Sequence, residues 1–96
     1  MPAYMIFDLE ITEPALWAEY QKLAGPLLLA AGGRFLASSP APEVLEGDWS
    51  PATLSLVEFP SLEAARAFYH SPAYQATIPL RLRAAIGSGV LIGGPT

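Results

Sequence analysis

The spacing of apolar and polar positions changes several times along the first third of the chain, and each change predicts a new element. Residues 3–11 (AYMIFDLEI) carry apolar side chains at every second position, as the buried face of a strand does. The apolar positions that follow recur three and four residues apart, which predicts a helix with Pro14 in its first turn. Pro26 should bend or interrupt this helix, and Gly32-Gly33 should end it.

The rest of the chain repeats the alternation of strand and helix with shorter elements. Ser61 and Ser71 each stand before a run that suits a helix, and their hydroxyl groups can cap it. The pattern predicts these elements in order: a short strand at 34–37, a loop at 38–43, a segment at 44–49 that suits either strand or turn, a strand at 53–59, a helix at 62–69 that restarts at Pro72 and is kinked near Pro79, and a final strand at 89–94.

The predicted order β-α-β-β-α-β defines one domain of the α+β class, residues 1–96. Right-handed crossovers convert this order into a ferredoxin-like fold, a four-stranded antiparallel sheet with both helices on one face. The uncovered face keeps Leu54 and Leu56, or their opposites, and 52% of the residues are hydrophobic. A chain of this size buries only about 60–70% of its surface. We therefore expect a homodimer in which two such sheets pack face to face.

The charge and cysteine content limit the classes of function. The net charge is −4 with only five lysine and arginine residues, so the basic stripe that nucleic-acid or membrane-surface binding requires is lacking. The chain has no cysteine and one histidine, from which we expect no disulfide, no metal site and no cofactor. The N-terminus lacks the basic region of a signal peptide, and no apolar run approaches the length of a membrane span. We therefore expect a cytoplasmic protein.

Two ionisable side chains are candidates for chemistry. His70 can act as a general base, since imidazole titrates near neutral pH. Its place at a helix C-terminus equally suits a side chain that only contacts the free carbonyl groups there. Arg34 can hold a ligand carboxylate with two parallel hydrogen bonds, or it can pair with Glu46 or Glu58 within the fold.

Three aromatic side chains are candidates for ligand contacts. Trp49, Tyr69 and Tyr74 lie in the same stretch of the chain as His70. Amphipathic rings of this kind line pockets, and they equally fill cores and oligomer interfaces. The sequence leaves both interpretations open.

Four segments together resemble the family called domain of unknown function 1330 (DUF1330). They are GGRFL at 32–36, EGDWSP at 46–51, VEFPSLEAARAFYHSPAYQ at 57–75 and LIGG at 91–94. The resemblance covers essentially the whole chain and implies the fold of that family, the dimeric α+β barrel. Residues 37–40 (ASSP) depart from an Arg-Gly-Gly turn that is frequent in the family, and Ile92 replaces a frequent glutamate. If either feature lines a pocket, the ligand of this member differs.

The resemblance implies no particular reaction, because relatives with this fold include cofactor-free monooxygenases, lactone isomerases and haem enzymes. We expect a cleft between sheet and helices that binds a small aromatic or carboxylated metabolite. In a cofactor-free monooxygenase or isomerase, Trp49, Tyr69 and Tyr74 would hold the ligand. His70 would move a proton, and Arg34 would hold a carboxylate. The alternative is a non-catalytic dimeric binding or interaction module, and a cavity of roughly 300 Å³ or more with His70 or Arg34 pointing into it would favour the enzyme.

Overall fold

The computed structural model describes residues 1–94, and its elements follow the predicted order of strands and helices. The strands are β1 (Ala3–Ile11), β2 (Arg34–Ser39), β3 (Thr53–Phe59) and β4 (Ala85–Gly93). The helices are α1 (Pro14–Ala30), α2 (Leu62–His70), α3 (Pro72–Gln75) and α4 (Ile78–Ala84). The second helical stretch is thus divided into three consecutive helices.

The four strands form one antiparallel sheet in the order β2-β3-β1-β4. Met5 of β1 lies opposite Val57 of β3 and Leu91 of β4, so these side chains share one face. The helices cover this face, because Met5 and Val57 are buried in a cluster with residues of α1, α2 and α3. The pairing of β2 with β3 shifts register between Phe35 and Ala37. This topology confirms the ferredoxin-like fold.

The two serines that were expected to cap helices do so. Ser61 Oγ accepts a hydrogen bond from the N–H of Ala64 at 3.0 Å, which starts α2. Ser71 Oγ accepts from the N–H of Tyr74 at 3.2 Å, which starts α3. Each cap therefore gives a short helix a defined first residue.

Three elements differ from the prediction, of which β2 continues two residues beyond its expected end, to Ser39. α1 runs through Pro26 without interruption. Pro26 and Lys22 are both exposed, so the helical hydrogen bond that the proline removes is lost on the solvent side. β4 begins earlier than expected, at Ala85, because residues 85–88 pair with the C-terminal half of β1.

The core between sheet and helices is largely aromatic. The Phe68 ring centroid lies 5.3 Å from that of Phe59 and 4.5 Å from that of Tyr74. Phe59, Tyr74 and Val57 are the largest side chains that are almost fully buried. This core holds α2 and α3 against the sheet and fixes the position of Tyr74.

The other side of the sheet is apolar, and no element among residues 1–94 covers it. We call it the open face, and its large apolar side chains are Tyr4, Ile6, Leu54, Leu56, Ile86, Val90 and Ile92. The molecule measures only 16 Å along its thinnest axis, which fits one sheet with one layer of helices. The sequence had left open whether Leu54 and Leu56 or the side chains on the opposite face of β3 would be uncovered, and the open face carries Leu54 and Leu56.

In the described part of the chain, no helix combines the length and the apolar character of a membrane span.

Candidate functional site

A cavity of about 670 Å³ lies between the helices and the face of the sheet that they cover. Its walls are mainly apolar and include the rings of Phe7, Trp17, Phe35 and Phe68. Arg81 of α4 is the only charged residue that lines it among residues 1–94. The cavity is larger than the roughly 300 Å³ that a ligand site requires, so the predicted cleft is present. We call it the main cavity.

A hydrogen-bonded cluster of Tyr20, Tyr74 and Arg81 lies in the wall of the main cavity, which Gln21, Ser38, Thr53 and Ser55 also line. The two tyrosine hydroxyl groups lie 2.7 Å apart, and Arg81 Nη1 donates to the Tyr74 hydroxyl oxygen at 2.9 Å. Only one hydroxyl hydrogen is used between the two tyrosines, so one O–H group of the pair remains free to donate to a ligand. Arg81 adds further donors, because a guanidinium group carries five N–H bonds. The cluster therefore offers hydrogen-bond donors inside an apolar cavity.

Three separate elements bring this cluster together. Tyr20 lies on α1, where its ring stacks on Trp17 with 5.0 Å between centroids. Tyr74 lies on α3, and the hydroxyl of Thr77 donates to its carbonyl oxygen at 2.6 Å as the chain turns into α4. Arg81 lies on α4, which packs against α1. The site depends on the contact between α1 and α4 as much as on any single helix.

The electrostatic setting keeps Tyr20 protonated and Arg81 charged. Burial raises the pKa of Tyr20 well above its usual range, and the hydrogen bond with Tyr74 raises it further. Burial on its own would lower the pKa of Arg81, but Tyr74 and Tyr20 outweigh this effect and raise it. A protonated phenol and a guanidinium both donate hydrogen bonds, so the cluster suits an anionic or carbonyl oxygen.

Phe7 and Gly89 contribute to the position of the Arg81 guanidinium group, together with its hydrogen bond to Tyr74. The guanidinium carbon is 5.8 Å from the centroid of the Phe7 ring, which is within the range of a cation–π contact. The Phe7 ring in turn lies over Gly89, where a Cβ atom would come within 2.6 Å of the ring. A side chain at position 89 would displace the ring and, with it, the surface on which Arg81 lies.

A second pocket of about 400 Å³ adjoins the main cavity at β4. It shares Phe7 and Arg81 with the main cavity and is otherwise lined by residues of α2, β1 and β4. We call it the β4 pocket.

No three His, Asp or Glu side chains of residues 1–94 are placed to hold a metal ion.

The structure divides the predicted site residues between different places. Tyr74 lines the main cavity, whereas Tyr69 and His70 line the β4 pocket. His70 is also the last residue of α2 and is exposed, as the helix-end interpretation requires. Its role in moving a proton stays a prediction.

Arg34 and Trp49 line neither pocket in the described part of the chain. Arg34 Nε donates to Glu58 Oε1 at 2.8 Å, so the structural ion pair is the one that forms. Trp49 is 59% exposed, and its Nε1 donates to Asp8 Oδ2 at 2.9 Å. Asp8 belongs to the alternate positions of β1 that point to the open face, which places Trp49 beside that face. The contact with Asp8 favours an interface role for Trp49 over a place in the cavity.

Tyr20 and Arg81 were not among the predicted site residues. In the sequence, Tyr20 falls on the apolar stripe of α1, three residues after Trp17, and Arg81 falls in an amphipathic run. One feature of the sequence could have pointed to Tyr20, because a tyrosine on the buried stripe of a helix needs a hydrogen-bond partner for its hydroxyl group. The identity of that partner depends on how α1 packs against α3 and α4, which the sequence pattern does not specify.

Comparison with protein families gives one match that covers nearly the whole chain. A family model described as domain of unknown function (DUF1330) matches residues 2–95, which confirms the resemblance seen in the sequence. No curated protein sequence matches the chain.

Solved structures with a similar fold have low sequence identity. The RPA0582 protein of unknown function from Rhodopseudomonas palustris superposes with a TM-score of 0.76 at 18% identity, covering 99% of this chain and 83% of the other. SnoaB, a cofactor-independent oxygenase from Streptomyces nogalater, has a TM-score of 0.69 at 10% identity, covering 99% and 94%. A dimeric ferredoxin-like protein of unknown function from Jannaschia sp. CCS1 has a TM-score of 0.61 at 13% identity, covering all of both chains. These similarities concern the fold alone.

Proposed function

The chain belongs to the DUF1330 family, and we propose that this member is a homodimer that binds a small aromatic carboxylate in its main cavity. The observation that carries the proposal is the cluster of Tyr20, Tyr74 and Arg81 inside a mainly apolar cavity. A cavity of about 670 Å³ falls within the range of about 300–1,000 Å³ typical of small-molecule sites.

The two parts of the cavity suit the two parts of such a ligand. Trp17, Phe35 and Phe68 offer ring surfaces against which an aromatic group can pack. Arg81 and the free tyrosine O–H group offer charged and neutral donors to a carboxylate. No aspartate or glutamate of residues 1–94 lines the cavity, so no negative charge of the wall opposes an anion there.

A cofactor-free isomerase or monooxygenase is the catalytic form of this proposal. Such reactions pass through an enolate or a related carbanion, and fixed donors stabilise the negative charge that develops on its oxygen. Arg81 and the tyrosine pair would supply this stabilisation. The raised pKa of Tyr20 keeps its phenol protonated, so Tyr20 is not available to accept a proton and proton removal would fall to another group such as His70 in the adjoining pocket. The non-catalytic alternative keeps the same ligand and lacks turnover.

We expect Arg81→Gln to weaken the binding of aromatic carboxylates at least tenfold. The loss of one charge-assisted contact is worth about 1.5–3 kcal/mol, which corresponds to a factor of about ten or more. Isothermal titration with benzoate, salicylate and 1-naphthoate measures the effect. The matched control is Arg83→Gln, which removes the same charge from an exposed position of the same helix.

The outcome is informative only if the variant folds, so thermal unfolding without ligand is compared first. Equal affinities for wild type, Arg81→Gln and Arg83→Gln would contradict the proposal, as would the absence of binding to any aromatic acid. Liquid chromatography with mass spectrometry of each ligand after incubation in air detects an oxygenated product by its mass and an isomer by its retention time, and so distinguishes a catalytic from a non-catalytic protein.

The homodimer would form through the open face. Of the seven large apolar side chains of this face, Ile86, Val90 and Ile92 are exposed and the other four are only half-buried in residues 1–94, and Trp49 extends the apolar surface beside it. A similar fold occurs in the dimeric ferredoxin-like protein from Jannaschia sp. CCS1. We expect light scattering at low micromolar concentration to give twice the mass of one chain. A monomer under these conditions would contradict the proposed assembly.

A further inference from the structure

The β4 pocket concentrates basic side chains of an acidic protein. The sequence has nine aspartate and glutamate residues against five lysine and arginine residues and one histidine. Arg66, His70 and Arg81 nevertheless line this one pocket, and no aspartate or glutamate of residues 1–94 lines it. A local excess of positive charge on a chain of net charge −4 favours an anionic ligand at this place.

The protein itself does not neutralise these charges. The ion pair within 4.0 Å that forms among residues 1–94 joins Arg34 to Glu58, on β2 and β3. Arg66 and Arg81 have no carboxylate partner within that distance in the same part of the chain. The remaining polar side chain of the pocket, Tyr69, is also a hydrogen-bond donor. The polar groups of the pocket can therefore all donate to the same anion.

We propose that the β4 pocket binds the phosphate group of a small organic phosphate monoester. Two guanidinium groups with a histidine suit a phosphate dianion better than a carboxylate, because phosphate offers more acceptor oxygens and more charge. A pocket of about 400 Å³ has room for an organic part as well. Met5, Phe7 and Leu91 provide an apolar wall for that part.

This site is distinct from the proposed aromatic carboxylate site. The two share Arg81 and Phe7, but Arg66 lines only the β4 pocket, whereas Tyr20 lines only the main cavity. Variants of Arg66 and Tyr20 therefore separate the two sites, and neither proposal depends on the other.

The test is isothermal titration of the full chain with n-butyl phosphate, an aliphatic monoester that lacks the ring of a main-cavity ligand. Inorganic phosphate is titrated in parallel at the same pH and ionic strength. We expect n-butyl phosphate to bind more tightly than inorganic phosphate, and Arg66→Gln to weaken it about tenfold or more. Arg83→Gln, which removes one charge from a residue that lines neither pocket, should leave the affinity little changed.

Several results would overturn this assignment. Undetectable binding of both phosphates would overturn it. An equal loss of affinity in Arg66→Gln and Arg83→Gln would also overturn it, because such a result indicates an effect of net charge alone. Equal affinities for the two phosphates would overturn the organic part of the assignment. Benzoate binding that is lost in Tyr20→Phe and kept in Arg66→Gln would locate the carboxylate in the main cavity, independently of the phosphate result.

Discussion

Replacing Leu56 by lysine is expected to convert the proposed dimer into a monomer, with a dimer dissociation constant raised at least a hundredfold. Leu56 lies on β3 at the centre of the open face, paired with Ile6 of β1 on one side and Ala37 of β2 on the other. In the monomer a lysine at this position reaches water, so the fold is kept. In a face-to-face dimer its charge would be buried against apolar side chains without a partner, at a cost of several kcal/mol.

The measurement is sedimentation velocity over a range of concentrations, with Leu82→Lys as the matched control. Leu82 is 66% exposed on α4, on the opposite side of the molecule from the open face. The two variants make the same chemical change and differ only in the side of the molecule. A hundredfold change corresponds to about 2.8 kcal/mol, well within the reach of this method. If Leu56→Lys stays dimeric, the copies associate through another surface and the open face has a different role.

Replacing Gly87 by alanine is expected to lower the free energy of unfolding by about 3 kcal/mol or more. Gly87 has a φ of +154° and lies opposite Leu9 in the pairing of β4 with β1. A Cβ atom there would overlap the backbone carbonyl oxygen of Asp8, and a backbone atom cannot rotate away as a side chain can. The strands must separate locally to accept it, and a small domain has only about 5–15 kcal/mol of stability in total.

The displacement would also reach the loop before β3. Asp8 Oδ1 accepts from the N–H of Ala52 at 2.8 Å, and Asp8 Oδ2 accepts from Trp49. Moving the Asp8 backbone therefore weakens the attachment of this loop. Tryptophan fluorescence should report the change together with the loss of stability.

Gly25→Ala is the matched control for this measurement. Gly25 lies within α1, and a Cβ atom there meets no atom within 4 Å outside its own helical backbone and its chain neighbours. Alanine is favoured over glycine in a helix by about 0.5–1 kcal/mol, but a Cβ atom directly before Pro26 disfavours the helical backbone, so this variant should be close to the wild type in stability. Urea unfolding of all three proteins at one concentration gives the comparison, since the stability of the proposed dimer would depend on concentration. Equal stability of Gly87→Ala and wild type would contradict the argument.

The candidate site was only partly accessible from the sequence. Tyr74 was expected to contact a ligand, and it lies in the cluster of the main cavity. Tyr20 and Arg81 were missed, because α1, α3 and α4 bring them together only in the folded chain. Trp49 was a candidate either for ligand contact or for packing; it lines neither pocket in the described residues and donates a hydrogen bond to Asp8, and its role stays a prediction.

The amino-acid sequence by itself determined the order of elements, the helix caps at Ser61 and Ser71, and the apolar character of both faces of β3. These features depend on neighbours a few residues apart, so the periodicity of side chains and the local hydrogen bonds suffice to specify them. The tertiary structure alone decided where β4 begins, which side chains form hydrogen bonds with Arg34 and Trp49, and which hydrogen-bond donors line the main cavity. Each of these depends on contacts between residues that are far apart in the chain. Such contacts form only when strands pair and helices pack, so the local sequence pattern does not specify them.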